Sequence, residues 1–192
     1  MPDSTRRTVS VFGGSAPTAE APAYEAALRL GTLLGAAGWR VATGGYEGTM
    51  EAVSRGAAQA GAQVVGVTCE VFERAGLRPN AWVGEVVSMA TLRERLYYLA
   101  SECDAAVALP GGIGTLSEVA FTWSLLQAGE IPPKPLVLVG PEWNRTLLAF
   151  LESQAAMIRT RDLELLTLCP TVEAAAEALS RHRGATGITP AL

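Results

Sequence analysis

DAAVALPGGIGTLSE, residues 104–118, joins a run of small apolar residues to a Pro-Gly-Gly break, a third glycine, then Thr115 and a carboxylate inside an amphipathic pattern. Residues 104–109 have the near-continuous apolar character of a strand covered on both faces, whereas Leu116, Val119, Ala120 and Trp123 recur at helical spacing. Strand, turn and helix start therefore fall within one short span. Gly111, Gly112 and Gly114 lack a Cβ, so a ligand can approach the backbone, and the following helix offers unpaired N–H groups and a partial positive charge to an anion. The expected guest is a phosphate. A tight turn without a ligand is the other reading of such a glycine cluster taken alone.

The same unit recurs along the chain. Thr8–Phe12 reads as a strand ending at Gly13, Gly14 and Ser15, and Pro22 opens a helical pattern through Tyr24, Ala27, Leu28, Leu30 and Leu34 that Gly38 ends. A second strand over 39–42 leads to the turn Thr43-Gly44-Gly45-Tyr46-Glu47-Gly48 and a helix over 49–60. A third strand is read over 63–68. Residues 69–80 mix charge, Gly and Pro with no clear period and read as an active-site loop or lid. Strand 82–87, helix 89–102 and the opening strand follow. After the proline-rich 130–135 come strand 136–139, helix 143–154, a short edge strand over 163–168, and a helix over about 171–183 with Thr171 as N-cap. Alternating strands and helices predict an α/β fold, a Rossmann-like doubly wound parallel sheet in three α/β/α layers. The expectation is a single nucleotide-binding domain over 1–192, with its motif-bearing core at about 9–153 and a tail at 184–192.

Composition narrows the function classes. The 192 residues, 49% hydrophobic and 18% charged, can bury a sizeable core. A net charge of -4 with scattered arginines gives no bulk attraction to nucleic acid or an anionic membrane. No run approaches the roughly 20 apolar residues of a membrane span, and residues 1–8 lack the apolar centre of a secretory signal, so the expected compartment is the cytoplasm. Cys69, Cys103 and Cys169 are odd in number and far apart, which indicates neither a disulfide framework nor a zinc site. His182, the only histidine, sits among arginines and reads as solvated surface, which removes a Ser-His-Asp triad and a His-rich metal centre. No metal and no organic cofactor is expected.

Several phosphate motifs are also absent. The first turn is GGSAPT rather than GxGxxG, and no Gly-Lys-Ser/Thr occurs. Lys134, the only lysine, lies in the proline-rich linker, which argues against a pyridoxal phosphate Schiff base. A mononucleotide fits better. In a parallel sheet the three glycine turns share one edge, and so do the starts of the helices at 89–102 and after Gly114. Side chains lean toward a helix's N-terminus, so Arg95 and Glu118 should face one opening around a phosphate. An ordinary ion pair bracing two helices is the alternative.

The motifs VFGGSAP, TGGYEGTMEAVSRGA and above all PGGIGTLSE resemble the "Lonely guy" (LOG) family of cytokinin riboside 5'-monophosphate phosphoribohydrolases, long labelled possible lysine decarboxylases. The last motif looks like the family's PGGxGTxxE, and the resemblance covers about residues 9–153. It implies hydrolysis of the N-glycosidic bond of a nucleoside 5'-monophosphate, of the AMP or cytokinin nucleotide type, to free base and ribose 5-phosphate. It implies Arg95 and Glu118 as catalytic, with phosphate held by Gly111, Gly112, Gly114 and Thr115 and completed by Ser15, Gly44 and Gly45. The lone, badly placed lysine argues against lysine decarboxylation. The chain departs from the family at Leu96, where Lys is usual, and at Tyr46 and Glu47, where small residues are common. A non-catalytic carrier of a phosphorylated ligand, resembling molybdenum-cofactor carrier proteins, is the alternative from another class. A nucleotide-sensing interaction module is a third. The helices bearing Leu92, Leu96, Tyr97, Tyr98 and Leu99, and Val119, Phe121, Trp123, Leu125 and Leu126, carry more apolar surface than one sheet face needs, and a homodimer through them is expected, as in the resembled family.

Overall fold

The computed structural model describes residues 7–184. Its elements in order are β1 (Thr8–Phe12), α1 (Pro22–Ala36), β2 (Arg40–Thr43), α2 (Thr49–Gln59), β3 (Val64–Cys69), α3 (Glu70–Arg74), β4 (Glu85–Met89), α4 (Leu92–Ser101), β5 (Ala105–Ala108), α5 (Ile113–Ala128), β6 (Leu136–Val139), α6 (Pro141–Gln154), α7 (Thr160–Leu163), β7 (Leu166–Cys169) and α8 (Val172–Gly184). The seven strands form one sheet in the order β4-β3-β2-β1-β5-β6-β7, and every pairing is parallel. This is the Rossmann-like, doubly wound architecture. The order reverses between β1 and β5, where such sheets open a crevice for ligands.

Period-two alternation divides the core into two layers. Val9, Val11, Ala105 and Val107 face α1, α2 and α8, while Phe12, Ala106 and Ala108 face α4, α5 and α6. The small residues of β5, buried without exception, let helices close on both sides of it. At the sheet margin β4 alternates between half-buried and exposed residues, as an edge strand with one covered face should.

The differences from the sequence reading have local causes. Helix α4 starts at Leu92 rather than 89, because Thr91 and Glu94 form a capping box: the Glu94 N–H donates to Thr91 Oγ1 at 3.2 Å and the Thr91 N–H to Glu94 Oε2 at 3.0 Å. Met89 consequently ends β4, which runs over Glu85–Met89 and not 82–87. The second strand is likewise one residue later than read. The lid segment contains a single helical turn, α3. The edge strand shifts to Leu166–Cys169 because α7 takes up 160–163. Thr171 does cap α8, accepting from the Ala174 N–H at 3.2 Å. Helix α8 includes Gly184, and the rest of the tail read over 184–192 lies outside the described residues.

The far end of α4 is held by Lys134, whose ammonium donates to the carbonyls of Ala100 at 3.0 Å and Ser101 at 2.9 Å, and also to that of Cys103. These are carbonyls that a helix end leaves without partners. Ten residues long and fixed at both ends, α4 is a rigid mount for what it carries. Thr91→Ala should lower the unfolding free energy by about 1 kcal/mol and Thr91→Ser by much less, read from urea midpoints at unchanged slope.

Candidate active site

The turns after β1, β2 and β5, the segment after β3 and the start of α4 all meet at the carboxyl edge of the sheet, around an open cavity of about 950 Å³. Arg95 and Glu118 both line it, although Arg95 is only 6% exposed and Glu118 only 9%. Arg95 Nη1 stands 3.7 Å from Glu118 Oε1, a Coulombic contact longer than a hydrogen bond. Arg95 Nε donates to the Val67 carbonyl at 2.7 Å, and its guanidinium carbon lies 5.9 Å from the Tyr46 ring centre and 5.8 Å from that of Phe72. The cation is therefore held by a carbonyl, a carboxylate and two aromatic faces.

Burial pushes the Glu118 carboxyl up from its ordinary 4.5 to about 7, against the opposing pull of Arg95. Near neutral pH this group is close to its midpoint. The pair retains capacity for a substrate: at this separation the carboxylate oxygens still have lone pairs to offer.

The anion end lies at α5. Its N-cap, Gly112, contributes no side-chain cap, and the first intrahelical bond runs from the Leu116 N–H to the Gly112 carbonyl. The N–H groups of residues 113–115 are thus left without intrahelical partners. Thr115 is 2% exposed, lines the cavity, and has no hydrogen-bond partner among the described residues.

Among the predicted phosphate residues, Ser15, Gly112, Gly114 and Thr115 line the cavity, and Gly44, Gly45 and Gly111 do not. Gly44 and Gly45 are buried behind the wall. A side chain on Gly44 would strike Arg95 Nη2, so its role is to make room for the guanidinium. Gly111 is placed where a Cβ would meet Thr115 Oγ1 and lie 2.9 Å from the Gly14 nitrogen, so it lets the first and fifth turns close on each other.

The sequence reading missed several residues. Tyr46 had drawn notice only for its bulk; its hydroxyl accepts from the Cys69 N–H at 2.9 Å and lies 3.3 Å from the Cys69 carbonyl, tying the second turn to the end of β3. Asn80 donates through its side-chain amide to the carbonyls of Gly45 at 3.1 Å and Tyr46 at 2.9 Å. Phe72 packs edge-on to Tyr46 with ring centres 5.7 Å apart. A buried arginine needs such partners, and that requirement was the available signal.

Residues 50–179 match a family model described as possible lysine decarboxylase. A cytokinin riboside 5'-monophosphate phosphoribohydrolase of Mycobacterium tuberculosis is 32% identical over 135 residues, covering 70% of this chain and 71% of that protein. The chain belongs to the LOG family. A probable member from Oryza sativa subsp. japonica is 36% identical over 154 residues, and there the match spans 76% of this chain but 59% of the relative. Among solved structures, a molybdenum cofactor carrier protein from Chlamydomonas reinhardtii superposes with a TM-score of 0.68 at 27% identity, covering 93% of this chain and 99% of that one. The family model's description does not fit the site of this LOG protein. Lys134, its only lysine, is engaged at the far end of α4 and is not among the residues lining the cavity, so no side chain there can form the Schiff base of a pyridoxal phosphate decarboxylase.

The raised Glu118 pKa carries a stability consequence of definite sign. The unfolded carboxyl ionises near 4.5 and the folded one near 7, so ionisation opposes folding as pH rises through that window. The stability of Glu118→Gln relative to the parent protein should therefore be about 3 kcal/mol more favourable at pH 8 than at pH 4, in paired urea titrations.

Proposed function

We propose that this LOG-family protein hydrolyses the N-glycosidic bond of a nucleoside 5'-monophosphate, releasing the free base and ribose 5-phosphate. The observation that carries the reading is a buried carboxylate and a buried guanidinium in one cavity, beside an uncapped helix N-terminus with an unpartnered hydroxyl. Phosphate binds at 112–115, which places the ribose near Glu118. As the C1'–N bond breaks, its electron pair leaves with the base and positive charge develops on the sugar. The Glu118 carboxylate stabilises that charge and orients the incoming water, whose hydroxyl adds to C1' while its proton ends on the base. Arg95 balances the negative charge on the departing base. Arg93, exposed and outside the cavity, does not substitute for it. The three cysteines are buried and unpaired, which fits a reducing cytoplasm.

The carrier reading draws on the structural likeness to the molybdenum cofactor carrier. It gives no role to the paired charges. Free base released from AMP, prenylated AMP or other monophosphates by the purified protein is the expected result, with kcat/KM rising through about pH 7 as Glu118 ionises. Glu118→Gln should reduce turnover about 10²–10⁴-fold with little change in phosphate affinity. No base from any nucleotide, with a pterin released on denaturation, would establish the carrier instead.

We further propose a homodimer through α4 and α5, with one amendment to the sequence reading. Val119, Leu125 and Leu126 are core residues, so the outward apolar surface is Leu92, Tyr97, Ile113 and Leu116, continued by a groove lined by Ala120, Trp123, Phe150 and Met157. Ile113, 81% exposed, adjoins the anion end of the cavity, so the seam would run beside the pocket. Light scattering should give twice the chain mass for the parent protein and the single chain mass for Leu92→Glu with Leu116→Glu.

A further inference from the structure

Arg95 and Glu118 carry opposite charges and both are buried, yet they stop short of a hydrogen bond at 3.7 Å. Attraction between such charges grows as they approach and as water is excluded, so closing the remaining gap is downhill unless other contacts hold the groups apart. Arg95 Nε donates to the Val67 carbonyl at 2.7 Å, and neither Nη nitrogen has a hydrogen-bond acceptor among the described residues. A single hydrogen bond at Nε is a pivot. The gap must be set by contacts of another kind.

Those contacts are aromatic. Tyr46 and Phe72 stand at 89° to each other, with ring centres 5.9 and 5.8 Å from Arg95 Cζ. Two rings at right angles resist displacement of a cation in two directions. Tyr46 is 3% exposed, its hydroxyl accepts from the Cys69 N–H and donates to the Cys69 carbonyl, and its own carbonyl accepts from the Asn80 side chain at 2.9 Å. A ring fixed at its hydroxyl and at its backbone cannot follow a moving guanidinium. Gly44 packs against Nη2, so retreat on that side is blocked as well.

We propose that Tyr46 and Phe72 are positioning residues, an aromatic clamp that keeps the Arg95 guanidinium from closing onto Glu118 and so leaves both charges open to a ligand. Only the kinetic part of this inference rests on the hydrolase reading. With the clamp in place, the Nη N–H groups and the carboxylate lone pairs remain unspent. Without it the pair forms a direct charge-assisted hydrogen bond, which occupies those donors and acceptors and favours the ionised carboxylate.

The surrounding charges do not obscure this effect. Glu47 and Glu51 line the cavity after β2, Arg78 lines it before β4, and Glu73 of α3 faces Tyr46. All four are kept when the rings are altered, so a change in the ionisation of Glu118 reports the position of Arg95. The clamp itself does not titrate near neutral pH: burial pushes the Tyr46 hydroxyl up from its ordinary value of 10, and Phe72 has no proton to exchange.

The test follows the Glu118 carboxyl by carbon-13 NMR on the full chain, with Glu118→Gln to assign its signal. Tyr46→Leu should lower the midpoint by about one pH unit. Phe72→Leu, at a half-buried position and so a milder change to the fold, should move it in the same direction. Tyr46→Phe keeps the ring and should hold the midpoint within about 0.3 pH unit of the parent. In an Arg95→Gln background the two leucine variants should leave the midpoint unmoved, because the cation carries the effect. In kinetics, the rise of kcat/KM with pH should move down by the same amount while the plateau kcat falls about tenfold, whereas a purely structural loss lowers the plateau without moving the rise. An unmoved or raised midpoint in either leucine variant that folds, or an equal fall in the Arg95→Gln background, would overturn the assignment. A fall that depends on Arg95, with no base released by the parent protein, would leave the clamp standing and remove the hydrolase. Base release with an unmoved midpoint would do the reverse, and absence of both would remove both.

Discussion

The buried guanidinium of Arg95 is the constraint around which the edge of the sheet is organised. A cation withdrawn from water costs several kcal/mol unless its surroundings replace the lost hydration. Here the replacements come from four places: the Val67 carbonyl of β3, the Glu118 carboxylate of α5, the Tyr46 ring after β2 and the Phe72 ring of α3. Val67 and Phe72 lie on one continuous stretch, while Tyr46 and Glu118 arrive on two others, so satisfying one charge draws three segments of the chain to one point. The same cation moderates its neighbour. Burial alone would drive Glu118 further from its ordinary range, and Arg95 holds it near 7, where a carboxylate can change charge state close to neutral pH.

Much of this is legible in the sequence. The strand-turn-helix spacing of DAAVALPGGIGTLSE set the parallel sheet, and the direction of helices between parallel strands brought Arg95 and Glu118 to one opening. What could not be read was of two kinds. Element ends depended on single hydrogen bonds, as at Thr91 and Glu94, where a short side-chain exchange decided three residues of helix. The aromatic partners of Arg95 depended on tertiary contact, and the segment holding Phe72 has no period to betray which side chain turns inward. The glycines illustrate the same limit. At Gly44 and Gly111 the atoms that fill the space a Cβ would take are Arg95 Nη2 and Thr115 Oγ1, and no spacing in the sequence points to either.

The outward side chains of α4 and α5 follow a related logic. An apolar residue on a short helix has two possible destinations, core or surface, and one-dimensional spacing cannot assign it when the helix is apolar around most of its circumference. Leu125 and Leu126 go inward because β6 offers Leu136 and Leu138 on that face, while Ile113 and Leu116 sit at the helix start, beyond the end of the strands that could cover them.

The strand order also dictates when during synthesis the pocket can come into being. The first half of the sheet, β4-β3-β2-β1, consists of neighbours in sequence and can assemble progressively as the chain emerges. The junction of β1 with β5 joins residues 96 apart, Val9 beside Ala105 and the Thr8 N–H on Asp104 at 2.7 Å. Closing so long a loop is the slow entropic step of such a topology. Arg95 belongs to the part made before that closure and Glu118 to the part made after it, so the nascent chain carries an incomplete pocket, with a cation lacking its carboxylate, until the two halves meet.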